Sequence, residues 1–153
     1  MFHVVLVEPQ IPPNTGNVGR LCLATNTRLH LIEPLGFSLD DRQLKRAGLD
    51  YWKDVDCHQW PSLEALQAAS GENSTFHYFT TKAEKGFWSA EYGTDDYLVF
   101  GCETRGLPES LLKANWAQCR KIPTENVRSL NLSVSVGIVL YEAVRQNGGL
   151  GCD

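Results

Sequence analysis

The chain lacks the paired cysteines that would define a disulfide framework or a structural zinc site. Its five cysteines are odd in number and scattered over 153 residues, and they form no C-x-x-C pair. The four histidines are equally dispersed, and the adjacent Cys57 and His58 lack the second pair that a closed zinc site needs. We therefore expect neither disulfides nor a bound metal.

Long apolar runs and an excess of positive charge are also missing. No stretch approaches the roughly 18 consecutive apolar residues of a membrane span, and the first residues do not resemble a secretory signal, so we expect a cytoplasmic protein. The formal net charge of -4 argues against non-specific polyanion binding, which depends on Lys and Arg that neutralise phosphates. An RNA partner would have to meet a local basic patch, although scattered surface charge is the commoner explanation for such residues. The candidate patches are Arg42, Lys45 and Arg46; Lys82 and Lys85; and Arg120, Lys121 and Arg128.

Short apolar runs alternate with amphipathic segments along the chain. Residues 3–7 and 29–32 predict buried strands, and Asn14 is predicted to cap a helix that turns Val18 and Cys22 inward and Arg20 outward. The remaining pattern predicts helices near 44–47, 62–69 and after Pro108, and strands near 75–80, 97–101 and 118–122. This alternation predicts an α/β fold with a mostly parallel sheet flanked by helices. We expect one domain over 1–153, with a flexible tail from about 148.

The segment 132–146 predicts a helix that is apolar on nearly every side. Such a helix has to be covered on all sides. We expect one face to meet the sheet and another to meet a partner subunit, with a helix wholly buried in the monomer as the alternative.

Three loops that follow predicted strands are unusual, and ligands of open parallel sheets bind at this end of the strands. They are residues 9–20 (PQIPPNTGNVGR), residues 100–108 (FGCETRGLP) and residues 122–131 (IPTENVRSLN). The first also resembles part of a dinucleotide-binding fingerprint, because residues 15–19 (TGNVG) follow a strand and Glu33 ends the next strand, about where a ribose-binding acid would lie. However, Asn14 stands where that fingerprint needs its first glycine.

Together the three loops resemble the signature motifs of the SPOUT superfamily of methyltransferases. Residues 46–51 (RAGLDY) resemble a segment typical of the minimal single-domain branch, which methylates the 2′-oxygen of the tRNA wobble nucleotide, cytidine or uridine 34. The resemblance covers nearly the whole chain. It implies a C-terminal deep trefoil knot and S-adenosylmethionine as the cofactor. It also implies a homodimer formed through the last and first helices. The implied partner is the anticodon stem-loop of tRNA, from the leucine isoacceptors.

The resemblance also assigns residues. The implied cofactor-binding positions are Phe79, Thr80, Gly101, Glu103, Ile122, Ser129, Leu130 and Leu132. The implied catalytic positions are Arg20, Asn14, Ser129 and Tyr141, and the expected RNA contacts are Arg20, Lys45, Arg46 and Arg128.

Each assignment has a structural alternative. Asn14, Ser129 and Asn131 can be caps, and Glu103 can pair with Arg105 or with a helix terminus. Arg20 and Arg128 can be surface charges, and Tyr141 can pack at the dimer interface. A guanidinium is a poor base at neutral pH, so we expect Arg20 to grip a phosphate and polarise the 2′-oxygen.

Two rival functions remain open. One is methylation of another tRNA position or of ribosomal RNA. The other, from a different class, is a non-catalytic RNA-binding or assembly protein with the same fold, which would keep the basic residues but need no cofactor.

Overall fold

The computed structural model describes residues 1–40 and 42–151, apart from the side chains of residues 45 and 47–50. The strands are β1 (His3–Val7), β2 (Arg28–Ile32), β3 (Cys57–Trp60), β4 (Phe76–Phe79), β5 (Tyr97–Phe100) and β6 (Cys119–Arg120). The helices are α1 (Pro12–Ala24), α2 (Arg42–Gly48), α3 (Leu63–Ala69), α4 (Glu109–Ala114) and α5 (Leu132–Gln146), with 3₁₀ segments at Leu49–Asp54, Phe87–Ser89 and Trp116–Gln118.

The described residues form a six-stranded sheet in the order β3-β2-β1-β5-β4-β6. Each neighbouring pair is parallel, and Val4 of β1 lies opposite Leu29 of β2 and Leu98 of β5. The predicted α/β class is confirmed, and the sheet is parallel throughout. The order reverses between β1 and β5, which makes the space beyond their carboxyl ends a ligand-binding position.

Both faces of the sheet are buried, which is why its central strands are almost continuously apolar. Val4, Leu6 and Leu98 pack under α1 and α5. Val5 and Val99 point to the opposite face, where they meet residues of α3 and α4 such as Leu66 and Leu112.

Helix α1 begins three residues earlier than the sequence predicts, and the predicted capping role of Asn14 is wrong. Ile11 occupies the N-cap position in extended backbone and makes no side-chain cap, and Pro12 and Pro13 occupy the first helical positions. Proline fits there because those amides have no intrahelical partner. Asn14 is therefore inside the helix, and its side chain is available for other contacts.

Strand β3 was not predicted. It lies at the edge of the sheet, and its four residues, two of them exposed, form no apolar run. The remaining predicted elements are confirmed within a few residues, and α5 has the predicted bounds. Ser62 caps α3 by accepting a hydrogen bond from the Ala65 amide. The sequence also predicts that Asp40 or Asp41 caps α2; this stays a prediction, and Asp41 lies outside the described residues.

Helix α5 has one buried and one exposed apolar face. Val136, Leu140 and Ala143 are fully buried against the sheet. Val134 and Tyr141 are 50% and 45% exposed, and Ile138 lies between them at helical spacing. The alternative of a helix wholly buried in the monomer is therefore wrong.

Candidate functional site

A cavity of about 550 Å³ opens beyond the carboxyl ends of β4, β5 and β6. It is lined by residues 79–82, 100–101, 103–107 and 128–132, with Ile122, Thr124 and Ser135, and with Ile11 and Asn14 from the start of α1. Every position predicted to bind the cofactor lines this cavity: Phe79, Thr80, Gly101, Glu103, Ile122, Ser129, Leu130 and Leu132. The three unusual loops are therefore brought together in space.

One wall of the cavity is formed by backbone, because the loop after β5 folds back on itself. A Cβ atom added to Gly101 would lie 2.1 Å from the carbonyl carbon of Gly106, so no other residue fits at position 101 without a shift. Gly106 has a φ of +68°, in the left-handed region, and its amide donates to the carbonyl of Cys102 at 3.0 Å. The two glycines thus allow the backbone of this loop to approach itself closely.

Cys102 is buried within the same loop. Burial raises the pKa of its thiol, but hydrogen bonds from the Arg105 side chain and from the backbones of Arg105 and Thr104 outweigh this effect. The pKa therefore lies below its ordinary value.

The carboxylate of Glu103 binds the start of α1. It accepts hydrogen bonds from the amides of Gln10 at 2.9 Å and Ile11 at 2.7 Å, and from Nδ2 of Asn14 at 3.2 Å. A negative charge is stabilised at this position because the first amides of a helix are unpaired and carry partial positive charge. Of the alternatives weighed for Glu103, pairing with a helix terminus is the one observed.

Asn14 continues this contact to α5. Its Oδ1 accepts from Nδ2 of Asn131 at 3.0 Å, and Oδ1 of Asn131 accepts from the amide of Ser133 at 2.9 Å and from its hydroxyl at 2.6 Å. A backbone amide can only donate and a carboxylate can only accept, so the two ends fix the orientation of both asparagine amides. The chain Glu103–Asn14–Asn131 thus links all three loops.

The predicted catalytic residues do not all meet in one protomer. Asn14 and Ser129 line the cavity, whereas Arg20 and Tyr141 do not. Arg20 lies on the exposed face of α1, as predicted, with its guanidinium carbon 5.3 Å from the centre of the Tyr51 ring. Tyr141 lies on the exposed face of α5.

Three cationic side chains, Lys82, Arg105 and Arg128, line the cavity, and Glu103 is the one acidic side chain among its described lining residues. Lys82 also forms an exposed ion pair with Glu109 at 3.5 Å. Of the predicted RNA contacts, Arg128 is thus at the cavity. Arg46 is exposed on α2, away from the cavity lining, and the side chain of Lys45 lies outside the described residues.

Sequence reasoning missed two of these residues. Asn131 was predicted only as a cap, which it is, but it also bonds directly to Asn14. From the sequence, Arg105 is expected only as a partner for Glu103. Its position between Gly101 and Gly106, in a turn at the end of β5, is the signal that could have indicated that it faces the same cavity.

A metal-binding cluster and a membrane-spanning helix are not found in the part of the chain that the structure describes. No group of three or more His, Cys, Asp or Glu side chains is arranged to hold a metal ion. None of the helices formed by residues 1–40 and 42–151 has the length and apolar character needed to cross a membrane.

Comparisons with known proteins give one consistent family. The profile of the SpoU rRNA Methylase family matches residues 1–141. The chain is 47% identical to the tRNA (cytidine(34)-2′-O)-methyltransferase of Saccharophagus degradans, over 99% of both chains. It is 46% identical to the protein of the same name from Yersinia pestis, covering 97% of this chain and 95% of that protein. A solved structure concerning 2-OH methylation of C/U34 on tRNA superposes with a TM-score of 0.92 at 46% identity, over 96% of both chains.

Proposed function

The chain belongs to the SpoU rRNA methylase family and is an S-adenosylmethionine-dependent methyltransferase, and we propose that its acceptor is the ribose 2′-hydroxyl of nucleotide 34, a cytidine or uridine, in tRNA. The observation that carries this proposal is full-length similarity to enzymes named for that reaction, in a chain whose three motif loops line one cavity. The reaction proposed is transfer of one methyl group to one ribose oxygen.

The cavity fits the cofactor in size and chemistry. Its volume lies within the range of about 300–1,000 Å³ typical of small-molecule sites. Phe79, Ile122 and Leu132 offer apolar surface, and the Gly101 backbone allows an approach that a Cβ atom would block. We propose that these residues hold S-adenosylmethionine together with Thr80, Glu103, Ser129 and Leu130.

When bound, S-adenosylmethionine supplies an electrophilic methyl group. Its transfer to the ribose oxygen would leave S-adenosylhomocysteine and would require the hydroxyl group to lose its proton. The protein therefore has mainly to align the acceptor and assist loss of the proton. We propose that Asn14 and Ser129 orient the acceptor ribose at the cavity, and that the guanidinium of Arg20 grips the adjacent phosphate and polarises the 2′-oxygen.

We also propose that the chain after β6 forms the deep trefoil knot that the family resemblance implies. Contacts at both ends of this segment support the idea. The Lys121 amide donates to the carbonyl of Lys85 at 2.9 Å, and beyond α5 the Asn147 side chain donates to the carbonyl of Tyr92 at 2.8 Å. The connection between β4 and β5 thus contacts the chain both before and after α5.

A homodimer through α5 and α1 is the proposed assembly. Its support is an apolar stripe on α5, formed by the exposed Val134 and Tyr141 and the half-buried Ile138, which runs along the helix from the end nearest the cavity. A second copy on this stripe would lie beside the cavity, and Tyr141 would then pack at the interface, close to the reacting groups.

The RNA proposed to bind is the anticodon stem-loop, whose unstacked bases proteins can read, and the leucine isoacceptors are the proposed substrates. The cations Lys82, Arg105 and Arg128 at the cavity support a polyanionic acceptor in a chain of net negative charge. Arg46 and Lys45 on α2 are proposed further contacts. Such a substrate would place the protein in the cytoplasm.

The test is methyl transfer from labelled S-adenosylmethionine to an anticodon stem-loop of a leucine tRNA. We expect label in the ribose of nucleotide 34, and none in an otherwise identical RNA with a 2′-deoxyribose at that position. Arg20→Ala should abolish most of the transfer, whereas Arg28→Ala, which changes an exposed arginine paired with Asp56, should not.

The other outcomes separate the rival functions. Transfer to the 2′-deoxy RNA, or to ribosomal RNA in preference to tRNA, would favour another acceptor site. RNA binding without cofactor binding would favour a non-catalytic protein and contradict the proposal.

A further inference from the structure

Arg20 is held in an unusual way for a surface arginine. Its guanidinium carbon lies 5.3 Å from the centre of the Tyr51 ring. Within the described residues it forms no ion pair with a carboxylate. A ring face attracts the cation without accepting its N–H donors in the way that a carboxylate would. Arg20 therefore keeps its donors for another acceptor.

Close packing between Gly19 and Trp52 holds the chain at Tyr51 against α1. Gly19 immediately precedes Arg20, and Trp52 immediately follows Tyr51. A Cβ atom on Gly19 would lie 2.6 Å from Cζ3 and 2.9 Å from Cε3 of Trp52, so only glycine allows this approach. Trp52 and Val55 also pack against the core beneath α1. The 3₁₀ segment Leu49–Asp54 is thus docked on α1 beside Arg20.

We propose that Tyr51 is a positioning residue for Arg20: its ring holds the guanidinium at the surface of α1, where no carboxylate of the described residues pairs with it, ready to receive an oxygen anion of the acceptor RNA. This inference rests on the proposed role of Arg20 in ribose methylation. Gly19 and Trp52 take part indirectly, because their close approach keeps the neighbouring Tyr51 beside Arg20. The segment 46–55 then serves to position Arg20, a site residue on a face of α1 that lies outside the cavity.

The test compares Tyr51→Leu, which removes the ring, with Tyr51→Phe, which keeps it. We expect Tyr51→Leu to lower kcat for the anticodon stem-loop about tenfold, with little change in the KM for S-adenosylmethionine, whose cavity Tyr51 does not line. Tyr51→Phe should stay within about twofold of the wild-type value. Trp116→Leu changes an aromatic residue of similar exposure elsewhere and serves as the control.

A second readout does not depend on activity. The Nε–H resonance of Arg20, assigned by its loss in Arg20→Lys, should be shifted by the ring current in the wild type and in Tyr51→Phe, and should move in Tyr51→Leu. Thermal unfolding of each variant checks that the fold is intact.

Failure of the inference and failure of the proposed function are distinguishable. If the wild type methylates nucleotide 34 but Tyr51→Leu retains full kcat, or if the resonance does not move, the positioning role is overturned. If the wild type does not methylate that RNA, the proposed function is contradicted and the positioning role in ribose methylation falls with it.

Discussion

Two carboxylates at opposite ends of the sheet accept the same number of hydrogen bonds and serve different purposes. Asp96, just before β5, accepts from the amides of Thr75 and Gly93 and from Nε2 of His77. Glu103, just after β5, accepts from two amides and from Asn14. Asp96 is buried, and its donors are groups of the scaffold: the amides of Thr75 and Gly93 in the connections before β4 and β5, and the His77 ring within β4. Glu103 borders a cavity and connects side chains that have hydrogen-bonding capacity left.

The comparison shows that a buried carboxylate with its hydrogen bonds formed is not by itself evidence of a functional site. What separates the two ends is the open space at the carboxyl end and the loops that converge on it, as expected for an open parallel sheet. The amino end should therefore control stability, and the carboxyl end should control activity.

The largest effect is expected at the amino end. Asp96→Ala leaves three donors without their acceptor, and we expect it to lower the free energy of unfolding by about 3 kcal/mol. Chemical denaturation measures this loss. Asp95→Ala, next to it and 75% exposed, should leave the unfolding free energy unchanged. Equal losses in the two variants would remove the distinction between them.

At the carboxyl end, Asn14→Ala breaks the link between Glu103 and Asn131. We expect methyl transfer to fall about 100-fold with little loss of stability, because the start of α1 is no longer aligned with α5. Asn14→Asp should be worse, since it sets two carboxylates against each other. The matched control is Asn17→Ala, exposed on the same helix. Single-turnover kinetics provide the measurement, and full activity in Asn14→Ala would argue that the link is only structural.

Gly101→Ala tests the backbone wall of the cavity. The added methyl group would collide with the backbone of Gly106 and force this wall of the cavity to shift, so we expect the affinity for S-adenosylmethionine to fall about 30-fold, which corresponds to about 2 kcal/mol of binding free energy. Calorimetric titration measures the affinity. Gly71→Ala, whose Cβ would only approach Ser74 at 4.0 Å, is the control. Unchanged affinity would show that the cofactor does not bind against this wall.

The smallest effect concerns pH. Trp60 donates to Nδ1 of His30, so His30 donates from Nε2 to Nδ1 of His3 at 2.9 Å, and both rings are neutral. Burial, with nearby positive charge, lowers the pKa of His3 to about 4 and that of His30 to about 3. Both pKa values lie below that of a histidine in the unfolded chain, so the unfolded state binds more protons as the pH falls. The stability of the folded state that depends on these neutral rings is therefore complete above about pH 6.5 and is lost as the pH falls towards 4.

We expect the free energy of unfolding to decrease by about 1–2 kcal/mol between pH 7 and pH 5. Denaturant melts at a series of pH values measure this slope, which His30→Gln should flatten. His58→Gln, at an exposed ring, should keep it. A flat profile in the wild type would mean that the two histidines are not held neutral.

Much of the fold follows from local chemistry in the sequence. The bounds of α5 are predictable because Asn131 is a good cap and the apolar residues behind it are continuous. The edge strand β3 is not, because its stability comes from pairing with β2 rather than from an apolar pattern of its own. Asn14 was misread as a cap because two prolines in the first turn shift the helix start.

The candidate site likewise has a part that the sequence predicts and a part that it does not. That the loops meet follows from the parallel topology, and the residues lining the cavity follow from the family resemblance. The hydrogen bonds of Glu103 and the contact between Arg20 and Tyr51 depend on tertiary packing, so no spacing in the sequence predicts them.

The most direct test of the account is amide hydrogen exchange with and without S-adenosylhomocysteine, the demethylated form of the cofactor. We expect added protection in residues 79–82, 101–107 and 122–132, and unchanged exchange around His77 and Asp96 at the opposite end. Protection confined to the amino end, or spread evenly over the sheet, would contradict the assignment of function to the carboxyl end.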